Sequence, residues 1–371
     1  MPESELRPQG ALGRVVSEGS YIPALDGLRF VAIATVVLFH ANGRLATKHG
    51  LELPLASKAF STGAFGVEFF FAISGFILAY QYWKRPQFKY AEYLTRRLKR
   101  IEPPFILAMC TQLALALAFG GAPTRDYLRS FAQMTTYTSN IFGGNIINGA
   151  TWSLEVEVQF YIILPLALAA ASKASSVATW LRPTVLLLLV NAISWFISAH
   201  LEYKTLFHYA SFFSVGILTA WLKVFQPGRR LPRLNGLSTC LVIAVIFGIR
   251  LLDLQSTLVS GVRVIAMAAL FSSILIHDSG SSILKNRTLT SIGGMCYSIY
   301  LWHIPALSLT DRFLCPRITE ALGCSPAAYG LAMAAMVCAT LALSVPAFLL
   351  TEKPFMYRRW SWSFLWRRLR A

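Results

Sequence analysis

Apolar runs of membrane-spanning length recur along the whole chain, separated by short polar segments. A helix needs about 20 predominantly apolar residues to cross a hydrocarbon core. On that measure the pattern predicts about ten helices, near 26–43, 65–83, 103–120, 152–171, 183–200, 206–223, 236–251, 261–277, 292–310 and 327–350. The stretch 124–148 is too polar to span, with Arg125, Asp126, Arg129, Asn140, Asn145 and Asn148, and it reads as a loop. The expected fold class is all-α, a polytopic membrane helical bundle. Three segments follow: an N-terminal piece, 1–20; a transmembrane domain, 21–355; and a tail, 356–371. In the tail Trp360, Trp362, Phe364 and Trp366 mix with arginines, as in a segment lying on a membrane leaflet.

Composition supports this class. Hydrophobic residues make up 55% of the 371 and charged residues only 14%, too few to cover a soluble domain of this length. The net charge of +17 raises nucleic acid as a partner, but its distribution argues for orientation instead. With the N-terminus inside, about 23 Lys and Arg fall on the cytosolic side and about 10 on the other. Both termini are therefore expected in the cytosol, with the basic residues facing anionic lipid and no nucleic acid bound. The first 20 residues are polar and the apolar run after them is too long for a signal-peptide core, so Tyr21–Ala41 is expected as a retained first helix. Cys110, Cys240, Cys296 and Cys338 fall inside predicted helices. Cys315 and Cys324 share an outward loop, where a disulfide and two free thiols are both open. No Cys/His spacing suggests a metal.

Intramembrane ionisable residues are costly and by default functional. Arg29 and His40 are eleven positions apart on the first helix, within about 20° of three full turns, so they share a face. They lie roughly 16 Å apart along the axis. Asp26 shares that face and stands three residues before Arg29, a spacing for an ion pair as well as for a helix cap. On the fourth helix Ser153, Glu157 and Tyr161 form an i, i+4, i+8 stripe, with Glu155 pointing nearly the other way. Alternating helix directions bring Glu157 to the depth of His40, and a carboxylate beside an imidazole orients it and stabilises its cation. Such a pair makes a general base for an alcohol; a structural buried polar pair is the plainer alternative.

Other polar residues join these two. Tyr297 and Tyr300 precede His303 on the ninth helix and could reach it or a substrate hydroxyl, or simply pack. Glu68 opens the second helix, and Ser74-Gly75 allows another backbone to come close. Arg97 and Arg100 stand just before Pro103-Pro104, three apart and so on one face, as a clamp for phosphate. With Arg29 they make a basic cytosolic mouth below the deeper His40.

Taken together these segments resemble the acyltransferase-3 family of integral-membrane O-acyltransferases, which includes O-antigen and nodulation-factor acetylases. The matching motifs are Leu25-Asp-Gly-Leu-Arg29 with ten residues to His40; Gly66-Val-Glu-Phe-Phe-Phe with Ser74-Gly-Phe76; Arg97-x-x-Arg100 before Pro103; Trp152-Ser-Leu with Glu157 and Tyr161; and Tyr297-Ser-Ile-Tyr-Leu-Trp-His303. The resemblance implies transfer of an acyl group, usually acetyl, from cytosolic acyl-CoA to a hydroxyl of a carbohydrate or glycolipid, in a bacterial inner membrane. It assigns His40 as the catalytic residue and Glu157 as its companion. Arg29, Arg97 and Arg100 fall to the acetyl-CoA donor, with no metal. Asp26, Glu68, Ser153, Tyr161, Tyr297, Tyr300 and His303 are left as supporting or substrate-facing groups.

The chain departs from the family pattern in three places. Glu68 replaces the usual aspartate, and Glu102 stands where an apolar residue precedes the proline. The chain stops without the extracytoplasmic hydrolase-like domain of many relatives. Sequence leaves two mechanisms open, direct attack of the acceptor on the thioester and an acyl-histidine intermediate. A different class, a proton-coupled transporter of a sugar or lipid, would use Arg, His and Glu as a proton relay. Repeated halves and paired broken helices, the marks of that class, are not seen.

Overall fold

A computed structural model describes residues 6–8, 12–17, 21–84, 87–144, 146–173, 196, 205–228, 233–252, 256–279 and 281–357. Apart from Phe196, the expected helix at 183–200 lies outside the described residues, as does the tail beyond 357. The chain forms two compact units, Met1–Ala64 with Arg96–Gln112 and Leu284–Ala371, and Phe65–Thr95 with Leu113–Ile283. Among the described residues, six helical stretches are long and apolar enough to cross a membrane: Pro23–His49, Pro54–Lys84, Tyr90–Phe119, Trp152–Ala169, Leu258–His277 and Pro326–Met356. The protein is an all-α, polytopic membrane bundle. Of the ten spans expected, those near 206–223 and 236–251 form shorter helices, Ala210–Phe225 and Gly236–Gly248.

In the first unit, α1 (Pro23–His49) begins three residues earlier than the pattern predicts. Pro23 at its first turn has the backbone angle a helix start needs and no N–H to leave unpaired. Asp26 is consequently inside the first turn and does not cap the helix; Ile22 holds that position. The helix ends at Gly50, whose left-handed backbone (φ 60°) closes it onto the Leu45 carbonyl. Upstream, Leu6–Pro8 and Val15–Ser17 pair as a short antiparallel ribbon, which the hydrophobic pattern of 1–20 does not reveal. After α2 (Pro54–Ser61) the unit resumes in the middle of α4 (Tyr90–Phe119) and then in α11 (Arg287–Gly294) and α12 (Cys296–Phe313). The single span expected at 292–310 is thus two helices, broken at Met295. A Cβ on Gly293 would overlap the Asp26 carbonyl, so α11 lies backbone to backbone on α1. Ala41, Leu45, Leu307, Ile318 and Met336 form a core joining α1 and α12 to α13 (Cys315–Leu322) and α14 (Pro326–Ala347).

Two loop expectations change. Helix α4 runs back through Pro103-Pro104 to Tyr90, so Arg97 and Arg100 sit on the helix itself. Proline removes one intrahelical bond, a loss that membrane helices tolerate where neighbours or side chains satisfy the freed groups. Cys315 and Cys324 are free thiols, and burial pushes the Cys315 thiol up to about 11, away from reactivity.

The second unit is built on α3 (Gly66–Lys84), α7 (Trp152–Lys173), α8 (Ala210–Phe225), α9 (Gly236–Gly248) and α10 (Ser256–His277). The stretch 124–148 is not simply a loop. It holds α5 (Thr124–Thr135) and the one-turn α6 (Ser139–Phe142). In α5 the charged Arg125, Asp126 and Arg129 face outward while Tyr127, Ser130 and Met134 turn inward at helical spacing; in α6 Ser139 and Asn140 are buried.

The backbone that comes close at Gly75 is that of α8. A Cβ on Gly216 would overlap the Ala72 carbonyl and the Phe76 amide, and one on Gly75 would overlap the Phe213 carbonyl. Backbone atoms cannot rotate aside, so Gly216→Val should force α3 and α8 apart. The expected cost is ~1–3 kcal/mol, read as a lower thermal midpoint in detergent. An unchanged midpoint would show that the helices have room to shift.

Candidate functional site

His40 sits on α1, half-buried, with its imidazole centroid 5.3 Å from that of His303 on α12 and tilted by 44°. The two side chains are 263 positions apart in sequence and belong to the same unit. His303 is fully buried. Its Nδ1 lies 2.7 Å from the Tyr300 carbonyl and 3.2 Å from the Ile299 carbonyl. Carbonyls only accept, so Nδ1 carries the proton and Nε2 is left as an acceptor. That Nε2 has no hydrogen-bond partner among the described residues.

The residues flanking His303 hold α12 in place. Tyr297 donates its hydroxyl to the Ile101 carbonyl at 2.9 Å, and Gln112 donates to the Leu301 carbonyl at 3.1 Å, tying α12 to α4. Tyr300 stacks on Tyr297, centroids 6.4 Å apart, and lies 6.2 Å from the His303 ring. Tyr297 thus has a structural bond, while Tyr300 is an immediate neighbour of His303.

At the start of α1, Asp26 and Arg29 form the expected ion pair, buried to 2% and 8% exposure. Asp26 also receives Arg14 at 3.4 Å and the Tyr21 hydroxyl. Burial pushes the Tyr21 phenol up to about 12, with the Asp26 charge adding to the effect. Arg14 is crowded by burial and by the like charges of Arg100 and Arg29, which together push its guanidinium down to about 9. Glu352 takes the Ser298 hydroxyl at 2.6 Å and the Ser298 amide at 3.0 Å, and it feels the charges of Arg100 and Arg14. Three guanidiniums, Arg14, Arg29 and Arg100, against two carboxylates leave a positive excess, the electrostatics of an anion site. Arg14 and Glu352 are absent from the sequence-derived set. Arg14 reads there only as one of the orienting basic charges.

The other expected residues lie in the second unit. Glu157 on α7 accepts the Tyr161 hydroxyl at 2.6 Å and the Ser74 hydroxyl of α3. The helical stripe therefore brings Glu157 and Tyr161 together, while the Ser153 hydroxyl turns back to the Ala150 carbonyl. Glu155 points the other way and holds Ser139 and the Asn140 amide, which pins α6 to α7. Glu68 pairs with Arg263 of α10, a buried guanidinium lying 3.3 Å above the centre of the Phe65 ring. Neither Arg263 nor Ser74 is marked as a partner by spacing alone. Among the described residues no group of three or more His, Cys, Asp or Glu stands together as a metal site.

Known proteins match the same span of chain. The Acyltransferase domain of the acyltransferase-3 family matches residues 22–349. The O-acetyltransferase OatA of Staphylococcus aureus is 25% identical over 328 residues, covering 79% of this chain and 52% of OatA. The BcsY transacylase of Komagataeibacter xylinus is 25% identical, covering 92% of this chain and 86% of BcsY. The peptidoglycan O-acetyltransferase YrhL of Bacillus subtilis is 24% identical over 78% of this chain and 49% of YrhL. The chain thus spans about half the length of OatA and YrhL. No solved structure matches. With the family's domain covering most of its length, from the helix that carries Arg29 and His40 to the end of α14, the chain belongs to the acyltransferase-3 family of membrane acyltransferases.

Proposed function

We propose that this protein moves an acetyl group from acetyl-CoA to a hydroxyl of a carbohydrate or glycolipid at a bacterial inner membrane. One observation carries the reading. A half-buried histidine on a membrane helix, His40, stands beside a second, fully buried histidine in a family whose relatives bear O-acetyltransferase names. An imidazole can take a proton at neutral pH, which an alcohol nucleophile requires it to do.

In this reading the basic cluster at the start of α1 faces the cytosol and receives the donor. Arg97 and Arg100 bind the phosphates of acetyl-CoA, with Arg29 contributing to the field, and the pantetheine arm reaches along the bundle toward His40. His40 takes the acceptor's hydroxyl proton while the oxygen attacks the thioester carbonyl. The new C–O bond forms, the C–S bond breaks, and the proton passes from His40 to the departing thiolate. Glu157, which accepts the Ser74 and Tyr161 hydroxyls, is the second catalytic residue in the proposal. The peptidoglycan named for YrhL makes a cell-wall or surface glycan the first acceptor to try.

The donor assignment has its own test. Each guanidinium–phosphate bond is a charged hydrogen bond worth ~1.5–3 kcal/mol. Arg97→Ala and Arg100→Ala should each raise KM for acetyl-CoA by about tenfold or more, with kcat little changed. Steady-state kinetics in reconstituted vesicles read both constants. An unchanged KM in both variants would remove these arginines from the donor site.

A further inference from the structure

His40 has two ring nitrogens, and a general base needs one of them unprotonated and aimed at the acceptor. The other then carries a proton and needs an acceptor of its own, because an unmade hydrogen bond in a buried site costs about 1–3 kcal/mol. A titratable ring, that of His303, stands 5.3 Å away between centroids. Its state is set locally: two helix carbonyls engage Nδ1, so Nε2 presents a lone pair. That lone pair is fully buried and unpartnered among the described residues. Buried acceptors are rarely left so, and each exception asks for an explanation.

We propose that His303 is the positioning residue for His40. Its Nε2 accepts the His40 N–H, so that His40 presents its other, unprotonated nitrogen to the acceptor hydroxyl. The rings as they stand are tilted by 44°, and a rotation of the half-buried His40 ring closes the bond. Catalytic hydrogen bonds are often loose without substrate and tighten in the loaded complex. During transfer His40 takes the acceptor's proton and gives it to the thiolate, while His303 stays neutral and keeps its own Nδ1 proton on the Tyr300 carbonyl. A buried neutral histidine thus serves where other enzymes place a carboxylate, fixing a tautomer and bonding to the cation that forms.

This inference rests on the reading of His40 as the base, and the experiment separates the two. The full-length protein in vesicles is assayed for acetyl transfer as wild type, His303→Asn and His303→Gln. Asparagine reaches the position of Nδ1 and keeps the helix carbonyl bond, but it supplies no acceptor at the place of Nε2. Glutamine reaches that place with its amide oxygen. The Asn variant should lose ~10²–10⁴-fold in kcat, the range of lost general-base function, with KM for acetyl-CoA unchanged within about twofold. The Gln variant should recover at least about tenfold of that loss. An Asn variant with wild-type kcat, a loss that falls on KM, or a Gln variant no better than Asn would overturn the proposal.

A spectroscopic measurement does not depend on the variants folding. Nitrogen-15 histidine spectra of the wild-type protein, assigned by the signal missing from His40→Gln, should show His40 in a single tautomer. Comparable populations of both tautomers would overturn the proposal. Wild-type protein that turns over no thioester, or His40→Gln protein that still does, would instead count against the reading of His40 as the base.

Discussion

His40→Ala should abolish acetyl transfer while leaving the protein folded. The acceptor hydroxyl holds its proton far above neutral pH, so attack on a thioester requires a base at the moment of bond formation. A positioned base contributes typically ~10²–10⁴-fold. Part of any residual rate would come from donor and acceptor held together, a term the substitution does not touch. Stability should change little, because His40 is only half-buried and His303 keeps its own helix-carbonyl bond in its absence. Release of free CoA from acetyl-CoA measures the chemistry, and the thermal midpoint in detergent measures the fold. An Ala variant that keeps its midpoint and loses CoA release marks His40 as part of the chemistry. Undiminished release would exclude it as the base.

The largest effect on stability is expected away from His40, at the Arg263–Glu68 pair. Arg263 is 3% exposed, and Phe65 and Phe212 lie against its guanidinium. Replacing it by leucine leaves Glu68 as a buried carboxylate without its cation. Breaking such a pair from one side typically costs ~3–5 kcal/mol. Removing both charges, with Arg263→Leu and Glu68→Leu together, should restore most of the loss, since an apolar pair of similar volume is often as stable as the ions it replaces. The midpoints of the wild type, the single variants and the double variant form a cycle that isolates the coupling. A double variant no more stable than Arg263→Leu would show that the arginine acts through packing on Phe65 and not through Glu68.

Much of the fold was legible because periodicity and length encode helices well. The pattern expects 65–83 and 152–171, and the structure has Gly66–Lys84 and Trp152–Lys173. Spacing also placed Asp26 on Arg29 and Glu157 on Tyr161, since residues three and four apart on one helix must be neighbours. Boundaries set by competing signals were harder. Pro103-Pro104 reads as a helix start, yet α4 carries both prolines inside. The polar stretch 124–148 hides α5, whose inward face is only Tyr127, Ser130 and Met134.

Pairs between distant segments were not legible in the sequence. Period and hydropathy say which face a side chain occupies, but they do not say what packs against that face. His303 meeting His40, Arg263 meeting Glu68 and Ser298 meeting Glu352 are each decided by packing between distant segments. Arg14 is the clearest omission. In sequence it is one of many basic residues that orient a membrane protein, and only the folded ribbon before α1 brings it to Asp26.

Whether the chain consumes a thioester is decided by vesicles carrying the purified protein, loaded with acetyl-CoA labelled in its acetyl group and given a crude surface glycan outside. Label should leave the thioester and reappear in an alkali-labile ester, with one free CoA for each ester formed. This should happen with the wild-type protein and not with His40→Ala. Label that stays in acetyl-CoA beside folded wild-type protein, or that moves equally well in the His40→Ala vesicles, would contradict acyl transfer by this site.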